Sequence, residues 1–177
     1  RVWLHRYRRD VLALSPLAMG PTPGKMPAGS PLPAHRATYL SPNEHEAAIL
    51  ADHSIDVSNG INMDDVAIVA RAFHDRGVEN LIITMGENGS IVAGKDGIHH
   101  TDCVKAPQVV DPTAAGDSFV AAFCTGLTAG LPQGQALAFA SHTASLTVSK
   151  MGAMPSLPTV EQVQTFMIQR GYTGFDP

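Results

Sequence analysis

The chain has 177 residues, of which 16% are charged and 44% are hydrophobic, and its formal net charge is −4. This length suffices for one domain with a sizeable core, or for a part of something larger. No apolar run approaches the roughly 18–20 residues of a membrane span. Two cysteines make no disulfide framework, and the first residues lack the pattern of a secretory signal, so we predict a cytoplasmic protein.

The charge is unevenly distributed along the chain. Residues 1–36 hold six basic residues and one acid, a net of +5, whereas residues 37–177 hold six basic and fifteen acidic residues, a net of −9. Six of the thirteen prolines also lie in residues 1–36. Because proline removes backbone donors and glycine adds backbone entropy, we predict a poorly ordered segment at 1–36 and a packed part at 37–177. A nucleic-acid arm is the alternative for the basic cluster at 1–9, but no basic and aromatic pattern continues beyond it, so we expect no nucleic-acid partner.

The predicted elements from residue 37 onward alternate between strands and helices. A short strand in ATYLSPN precedes a helix that Asn43 caps, with acidic residues in its first turn. A second helix, capped by Asn62, has an apolar side that consists of Val66, Ile68, Val69 and Phe73. Residues 78–86 form a buried strand of the parallel kind, and a hairpin that turns at 94–97 follows it. Three more helices are predicted at about 115–128, 133–149 and 160–169, and this mixture indicates an α/β layered fold.

The strongest chemical signal is the stretch 109–127, VVDPTAAGDSFVAAFCTGL, in which a strand end meets a turn of small residues and then a helix. We call residues 112–116 the anion turn, because backbone N–H groups at a helix start can bind a phosphate there. Asp117 can take a proton from a hydroxyl that attacks a phosphorus held by those N–H groups. The alternative is that Asp117 only caps the helix and that Asp111 only begins a turn.

The sequence DPTAAGDSF resembles the signature of the ribokinase family of carbohydrate kinases, the phosphofructokinase-B superfamily, whose usual form is D-T-x-G/A-A-G-D. Pro112 departs from that form and could alter the turn, and Ala114 stands where glycine is frequent. Three other segments match the family in the same order, namely SPNEHEA (41–47), IITMGENGS (82–90) and FASHTASLTVSKMGAMPSLPT (139–159). The resemblance implies a partial three-layer, ribokinase-like α/β fold that corresponds to the C-terminal, nucleotide-binding portion of a family member.

The resemblance also implies a reaction, which is ATP-dependent phosphorylation of a sugar hydroxyl. Asp117 would be the general base, and the amides of Ala115 and Gly116, together with Ala114, would stabilise charge on the phosphoryl group. Ribose is the first substrate to expect, while fructose, other ketose sugars and nucleosides remain open. ATP and a small sugar would be the partners, with no membrane, and a homodimer is a candidate assembly of the full-length family member.

Cofactor ligands follow from the same resemblance. Thr84, Gly86 and Gly89 would line the nucleotide phosphates and ribose, together with Gly116, although a strand–turn–strand without a ligand is the alternative. His142 would line the adenine pocket, or would be an ordinary, partly exposed helix histidine.

Metal ligands are also implied by the resemblance. Asn43 and Glu46 match the N-x-x-E motif that organises Mg²⁺ and phosphate, although the same pair could simply begin a helix. Potassium is a candidate third cofactor beside ATP and Mg²⁺, and its ligands would be Asp111, Thr113, Thr147, Lys150, Gly152 and Ser156, several of them through backbone carbonyls.

The N-terminal half of the family, with its β lid and the glycine pair that binds the sugar, has no counterpart that we recognise, and no two glycines are adjacent in this sequence. We therefore expect a truncated gene product that binds nucleotide weakly and transfers no phosphoryl group by itself. The function that competes with a kinase is a non-catalytic nucleotide-binding remnant or regulatory fragment.

Overall fold

The computed structural model describes residues 38–172, which divide into two compact units between Asp102 and Cys103. Among the described residues, the first unit holds a sheet with two α-helices, and the second holds three α-helices. The segment 1–36 lies outside the described residues, so its predicted lack of order stays a prediction. No helix within residues 38–172 combines the length and the apolar character needed to cross a membrane.

The first unit contains a four-stranded mixed sheet with the strand order β1-β2-β3-β4. Its strands are β1 (Tyr39–Leu40), β2 (Asn80–Thr84), β3 (Ser90–Gly94) and β4 (Gly97–Thr101). β1 and β2 are parallel, as the apolar run predicted, whereas β2–β3 and β3–β4 are antiparallel. The predicted hairpin is confirmed, because Gly94 pairs with Gly97 at its turn.

Two helices of the first unit, α1 (Glu44–Ala51) and α2 (Met63–His74), share a hydrophobic core with one face of the sheet. Strand residues alternate between faces, so Leu81, Ile83 and Ile91 contribute to this core together. On α2, Val66, Val69 and Phe73 are buried as predicted.

The predicted apolar side of α2 is wrong at one position. Ile68 is 50% exposed. It lies two residues after Val66, and a step of two residues turns a helix by about 200°, which places the side chain away from the buried stripe.

The second unit contains α3 (Ala115–Thr128), α4 (Gln133–Thr147) and α5 (Val160–Gln169), close to the predicted bounds. Gly126 of α3 lies against Ala136 of α4, where a Cβ on the glycine would stand 3.0 Å from the alanine Cβ. The helices thus approach closely at residue 126, where a side chain would fit only if its neighbours moved by a few tenths of an ångström. Thr159 and Gln162 form a capping box that begins α5.

Candidate active site

In the first unit, the register of the sheet places two predicted site residues next to each other. Asn43 forms an isolated parallel bridge with Thr84, beyond the end of β1, and the Thr84 amide donates to the Pro42 carbonyl over 3.1 Å. The carboxyl ends of two parallel strands meet at one edge of a sheet, which is where open α/β sheets hold their ligands. Asn43 and Thr84, which are 41 positions apart in sequence, are therefore neighbours at this edge.

Asn43 and Glu46 are joined by a reciprocal capping box at the start of α1. The Glu46 amide donates to Oδ1 of Asn43 over 2.8 Å, and the Asn43 amide donates to Oε2 of Glu46 over 3.0 Å. This geometry confirms that the pair begins a helix, and it also fixes the orientation of the Glu46 carboxylate. The two roles proposed from the sequence are thus compatible, since the cap holds the carboxylate in place.

The side-chain oxygens of Asn43 and Glu46 fit a magnesium ion whose other ligands are waters and substrate phosphates. Among residues 38–172 there is no cluster of three or more His, Cys, Asp or Glu side chains that could hold a metal ion. Magnesium usually keeps several waters and binds through one or two carboxylates plus substrate phosphates. One half-buried carboxylate beside an exposed amide side chain is consistent with that mode of binding.

Immediately after β2, a tight turn carries the two predicted nucleotide glycines. The turn contains the 3₁₀ helix Gly86–Asn88, and the Met85 amide closes it by donating to the Gly89 carbonyl over 2.8 Å. Gly86 and Gly89 have φ angles of 55° and 83°, in the left-handed region. A Cβ at Gly86 would meet nothing within 4 Å, so the backbone here is open to a ligand.

In the second unit, the anion turn leads into α3 through a strained residue. Ala114 occupies the N-cap position of α3 with φ 64° and ψ 9°, a left-handed conformation that non-glycine residues rarely adopt. Its side chain makes no capping hydrogen bond. Such strain persists only where the surrounding structure imposes it, and it is common at ligand-binding turns.

The N–H groups of the anion turn are not equivalent. The Ala115 amide donates to the Pro112 carbonyl over 3.2 Å, and the Ser118 amide to the Ala114 carbonyl over 2.9 Å. Within the described part of the chain, no hydrogen bond from the Gly116 amide is found. Gly116 is exposed, and a Cβ there would meet nothing within 4 Å. Of the amides predicted to bind phosphate, those of Ala114 and Gly116 donate to no acceptor among the described residues, whereas that of Ala115 already has a partner, and Gly116 is the more exposed of the two.

Asp117 lies in the first turn of α3 and is exposed. Its neighbour Ser118 is buried and donates its hydroxyl back to the Ala115 carbonyl over 2.9 Å. A carboxylate in this place interacts favourably with the helix dipole, and it is reachable by a substrate hydroxyl. The structure thus places an accessible carboxylate one residue after an open amide.

Asp111 precedes the turn and uses both carboxylate oxygens. Oδ1 accepts the Thr113 amide over 2.9 Å, and Oδ2 accepts the Gly152 amide over 2.8 Å. Hydrogen bonds from the Thr113 hydroxyl, the Gly152 amide and the Thr113 amide lower the pKa of Asp111 below its ordinary value. Three of the six predicted cation ligands, Asp111, Thr113 and Gly152, are therefore in contact.

Of the other three predicted cation ligands, Thr147 is the last residue of α4, and Lys150 and Ser156 follow this helix. The Thr147 hydroxyl donates to the Thr143 carbonyl over 2.9 Å, and the Thr147 carbonyl accepts the Lys150 amide over 3.2 Å. Ser156 is fully buried and donates to the Ala153 carbonyl over 2.6 Å. The structure brings Thr147 and Lys150 together, while the partner of Ser156 lies within its own 3₁₀ turn.

His142 lies inside the packing between α4 and the end of α5. It is 1% exposed, and its ring meets Phe166 and Tyr172 edge-on, at centroid distances of 5.7 and 4.9 Å. Nδ1 carries the ring hydrogen, because it lies 2.7 Å from the Ala138 carbonyl oxygen, which only accepts. Burial lowers the pKa of His142. The histidine is thus not partly exposed, and its place beside adenine stays a prediction.

Sequence reasoning missed the contribution of the Val148 carbonyl. This oxygen accepts the amides of both Val110 and Asp111, over 2.8 and 3.1 Å, and so anchors the segment that leads into the anion turn. A backbone acceptor carries no signal in its residue type, so no sequence motif could have identified it.

A match to a protein-family model identifies the family to which this chain belongs. The model described as "pfkB family carbohydrate kinase" matches residues 21–160, which include all of the sites above. The chain belongs to the pfkB family of carbohydrate kinases. The match begins at residue 21, within the proline-rich segment, so the predicted boundary at residue 36 stays a prediction.

Known relatives of this pfkB-family chain include ribokinases. The ribokinase of Schizosaccharomyces pombe is 33% identical over 159 residues, which are 90% of this chain and 47% of that protein. The structure of Arabidopsis thaliana ribokinase complexed with ribose and ATP gives a TM-score of 0.70 at 31% identity, over 78% of this chain and 44% of that one. A putative ribokinase II from E. coli, in complex with ATP and Mg²⁺, gives a TM-score of 0.63 at 26% identity. The match covers 77% of this chain and 41% of that one.

These structural matches confirm the predicted ribokinase-like α/β fold and its partial extent. The pfkB-family chain spans less than half the length of these relatives. The two structures named above are described as ribokinases, one of them putative, and both are complexes with ATP.

Proposed function

We propose that this chain is the nucleotide-binding part of an ATP-dependent carbohydrate kinase. The observation that carries the proposal is the start of α3, where the accessible carboxylate of Asp117 directly follows the open amide of Gly116. Phosphoryl transfer asks mainly for positioning and for stabilisation of charge on the moving group. An amide that binds the anion, beside one general base, supplies both the positioning and the stabilisation of charge.

In the proposed reaction, Asp117 accepts the proton of a sugar hydroxyl. The hydroxyl oxygen forms a bond to the γ-phosphorus of ATP while the bond from that phosphorus to the bridging oxygen of ADP breaks. The Gly116 amide donates to a phosphoryl oxygen, and the positive end of the α3 dipole stabilises the negative charge that develops on the phosphoryl group. Ala114 contributes through its left-handed backbone, which turns the chain before these groups.

The first unit would bind the nucleotide. The Thr84 hydroxyl can donate to a phosphate, and the open backbone at Gly86 allows a phosphate or ribose to approach closely. Magnesium, when bound, neutralises phosphate charge. Asn43 and Glu46 would hold it through water, with the capping box fixing the carboxylate in orientation.

Ribose is the first substrate that we propose, because the relatives described above include ribokinases and one of them was solved with ribose and ATP. Fructose, other ketose sugars and nucleosides are the alternatives. A panel of these acceptors at equal concentration ranks them by the sugar-dependent rate of ADP release.

The test of the proposed function compares Asp117→Asn with Glu161→Gln. Both residues are exposed acids in the first turn of a helix, so the second variant controls for loss of charge beside a helix dipole. Removal of a general base lowers turnover by about 10²–10⁴-fold. Where the wild-type chain releases ADP in the presence of ribose, Asp117→Asn should lose that release on this scale and Glu161→Gln should keep it. Turnover that survives both Asp117→Asn and Asp117→Ala would show that the assignment of the base is wrong.

A second candidate function is nucleotide binding without transfer. It is favoured by the candidate residues of the first unit, Asn43, Glu46, Thr84 and Gly86, which are proposed for nucleotide and magnesium rather than for a sugar. Titration calorimetry with ATP and Mg²⁺ separates the two functions. Binding without sugar-dependent ADP release for any acceptor on the panel would support the second candidate over the first.

A further inference from the structure

We propose that Ser90 is a positioning residue for the nucleotide, whose buried hydroxyl donates to the Thr84 hydroxyl while that hydroxyl donates to a phosphate. This inference rests on the proposed function, because it concerns the phosphate that Thr84 would bind. The family resemblance assigns Thr84 to the nucleotide but gives Ser90 no role. Ser90 would therefore be a further residue of the candidate site, behind one of the predicted ligands.

The register of β2 and β3 places Thr84 and Ser90 directly opposite each other. The Thr84 amide donates to the Pro42 carbonyl, toward β1, and the Met85 amide donates to the Gly89 carbonyl. These two bonds identify Thr84 and Ser90 as a non-hydrogen-bonded pair of the antiparallel ladder, the type in which side chains lie closer together. The Cβ atoms of opposite residues are about 4.5–5.5 Å apart, so the two hydroxyls can come within hydrogen-bond distance.

Thr84 and Ser90 also lie on the same face of the sheet. Successive side chains of a strand point to opposite faces. Ile83 and Ile91, which are paired across β2 and β3, belong to the hydrophobic core that the sheet shares with α1 and α2. Thr84 and Ser90 each lie one residue away from these isoleucines, and their side chains therefore share the opposite face.

The Ser90 hydroxyl is buried and unpartnered. Ser90 is 2% exposed, and its Oγ makes no hydrogen bond to any described residue. A buried hydroxyl without a partner costs free energy, and each such group in a folded protein calls for an explanation. Because a hydroxyl offers one donor and two acceptor sites, Ser90 can donate to Thr84 without giving up another hydrogen bond.

A second unpartnered hydroxyl lies on the other side of β2. Within residues 38–172, the buried side-chain oxygens without a hydrogen-bond partner are those of Ser41, Ser90 and Ser145. Leu40 belongs to the core and pairs with Leu81, so Ser41 continues that register beside β2, on the face that bears Thr84. Two of these three hydroxyls therefore flank the strand that carries the candidate phosphate ligand.

Burial indicates that Ser90 acts through Thr84 rather than on the ligand itself. Thr84 is partly exposed, whereas the Ser90 hydroxyl is shielded from solvent. When the Thr84 hydroxyl donates to a phosphate, its oxygen becomes a better acceptor, because hydrogen bonds in a chain polarise one another. The bond from Ser90 is then stronger in the bound state than in the free state, and this difference contributes to affinity.

The experiment compares Ser90→Ala with Ser145→Ala in the full 177-residue chain. Ser145 lies on α4 and is the matched control, because its hydroxyl is also buried and unpartnered and it is not a candidate ligand. Alanine removes an unsatisfied group in both variants, so both should melt about 2–4 °C above wild type without ATP. Only Ser90→Ala should bind ATP with Mg²⁺ more weakly in calorimetry, by about five- to tenfold, which is the loss of one hydrogen bond.

A double-mutant cycle tests the route through Thr84. Thr84→Val keeps the shape of the side chain and removes its hydroxyl. In that background, Ser90→Ala should change the affinity for ATP by less than about twofold, because the acceptor of its hydrogen bond is gone. A full loss that persists beside Thr84→Val would overturn the proposal, since Ser90 would then act without Thr84.

The opposite directions of the two readouts separate a positioning role from a structural one. If Ser90→Ala melts below wild type or fails to fold, the hydroxyl is already satisfied in the free protein and the proposal is wrong. Equal losses of ATP affinity in Ser90→Ala and Ser145→Ala would also contradict it. Wild-type affinity in Ser90→Ala overturns this proposal alone, whereas a wild-type chain that binds no ATP overturns the proposed function as well.

Discussion

The two regions that carry the candidate site residues are built in different ways. In the first unit, Asn43 and Glu46 are three positions apart and hold each other through a helix cap, and Thr84 joins them through strand register. In the second unit, the anion turn depends on a contact between residues 41 positions apart and on a strained alanine. Both regions thus include a contact between residues 41 positions apart; helix capping and strand pairing make it in the first region, whereas a side chain that reaches a distant loop makes it in the second.

The largest effect that we predict tests the core beneath the first region. Phe73 is fully buried among the residues that join α1 and α2 to the sheet. Its replacement by alanine leaves a cavity and should lower the free energy of unfolding by about 3–5 kcal/mol. Urea unfolding measures this, and Ile68→Ala, at an exposed position of the same helix, should cost much less. Equal losses would contradict the packing described for α2.

A smaller effect is expected in the second region, at Ala114. A β-branched side chain is strongly disfavoured at φ 64°, so Ala114→Val should destabilise the protein by about 1–3 kcal/mol. Ala114→Gly should instead stabilise it by up to about 1 kcal/mol, because glycine adopts this conformation freely. Thermal unfolding checks both, with Ala121→Val, at an exposed position within α3, as the control for helix propensity. Opposite signs for glycine and valine at residue 114 are the signature of backbone strain.

The proposed role of Asn43 in binding ATP with Mg²⁺ can be tested separately from its role as a helix cap. Asn43 and Asn62 each cap a helix of the first unit, and replacement of either by alanine should cost about 1 kcal/mol of stability. Only Asn43→Ala should also weaken the affinity for ATP with Mg²⁺, since Asn62 carries no predicted ligand. Calorimetry on the two variants at equal folded fraction measures the difference. If the affinity for ATP is unchanged in both variants, Asn43 acts only as a helix cap.

The smallest effect concerns the pH dependence of the first unit. Hydrogen bonds from the Asp56 amide and from His53 lower the pKa of Asp65 below its ordinary value of 3.8. A carboxyl whose pKa is lower in the folded state stabilises the protein above its unfolded pKa, and this contribution is lost as pH falls through the folded value. Wild type should therefore melt at a higher temperature than Asp65→Asn at pH 6, and this advantage should shrink progressively below about pH 4. An advantage that stays constant down to pH 2 would contradict the assigned cause.

Much of the fold could be predicted, because the signals that define its elements are local. The caps at Asn43 and Asn62 and the alternation around the Gly94–Gly97 hairpin each depend on neighbours within a few residues. The failure at Ile68 has a geometric reason, since an apolar residue can lie off the buried stripe of a helix. The burial of His142 could not be predicted, because Phe166 and Tyr172 reach it from another element.

The sequence by itself determined the elements, their order and the resemblance to the carbohydrate kinases, since propensity, capping and motif spacing are written in short stretches of residues. Only the tertiary structure decided which amides of the anion turn are open, that Ala114 is left-handed, and that Asp111 reaches Gly152. These properties depend on backbone direction and on contacts between distant residues, and neither is encoded in residue type at a single position. For that reason the residues proposed for chemistry could be named from the sequence, but the groups that hold them in place could not.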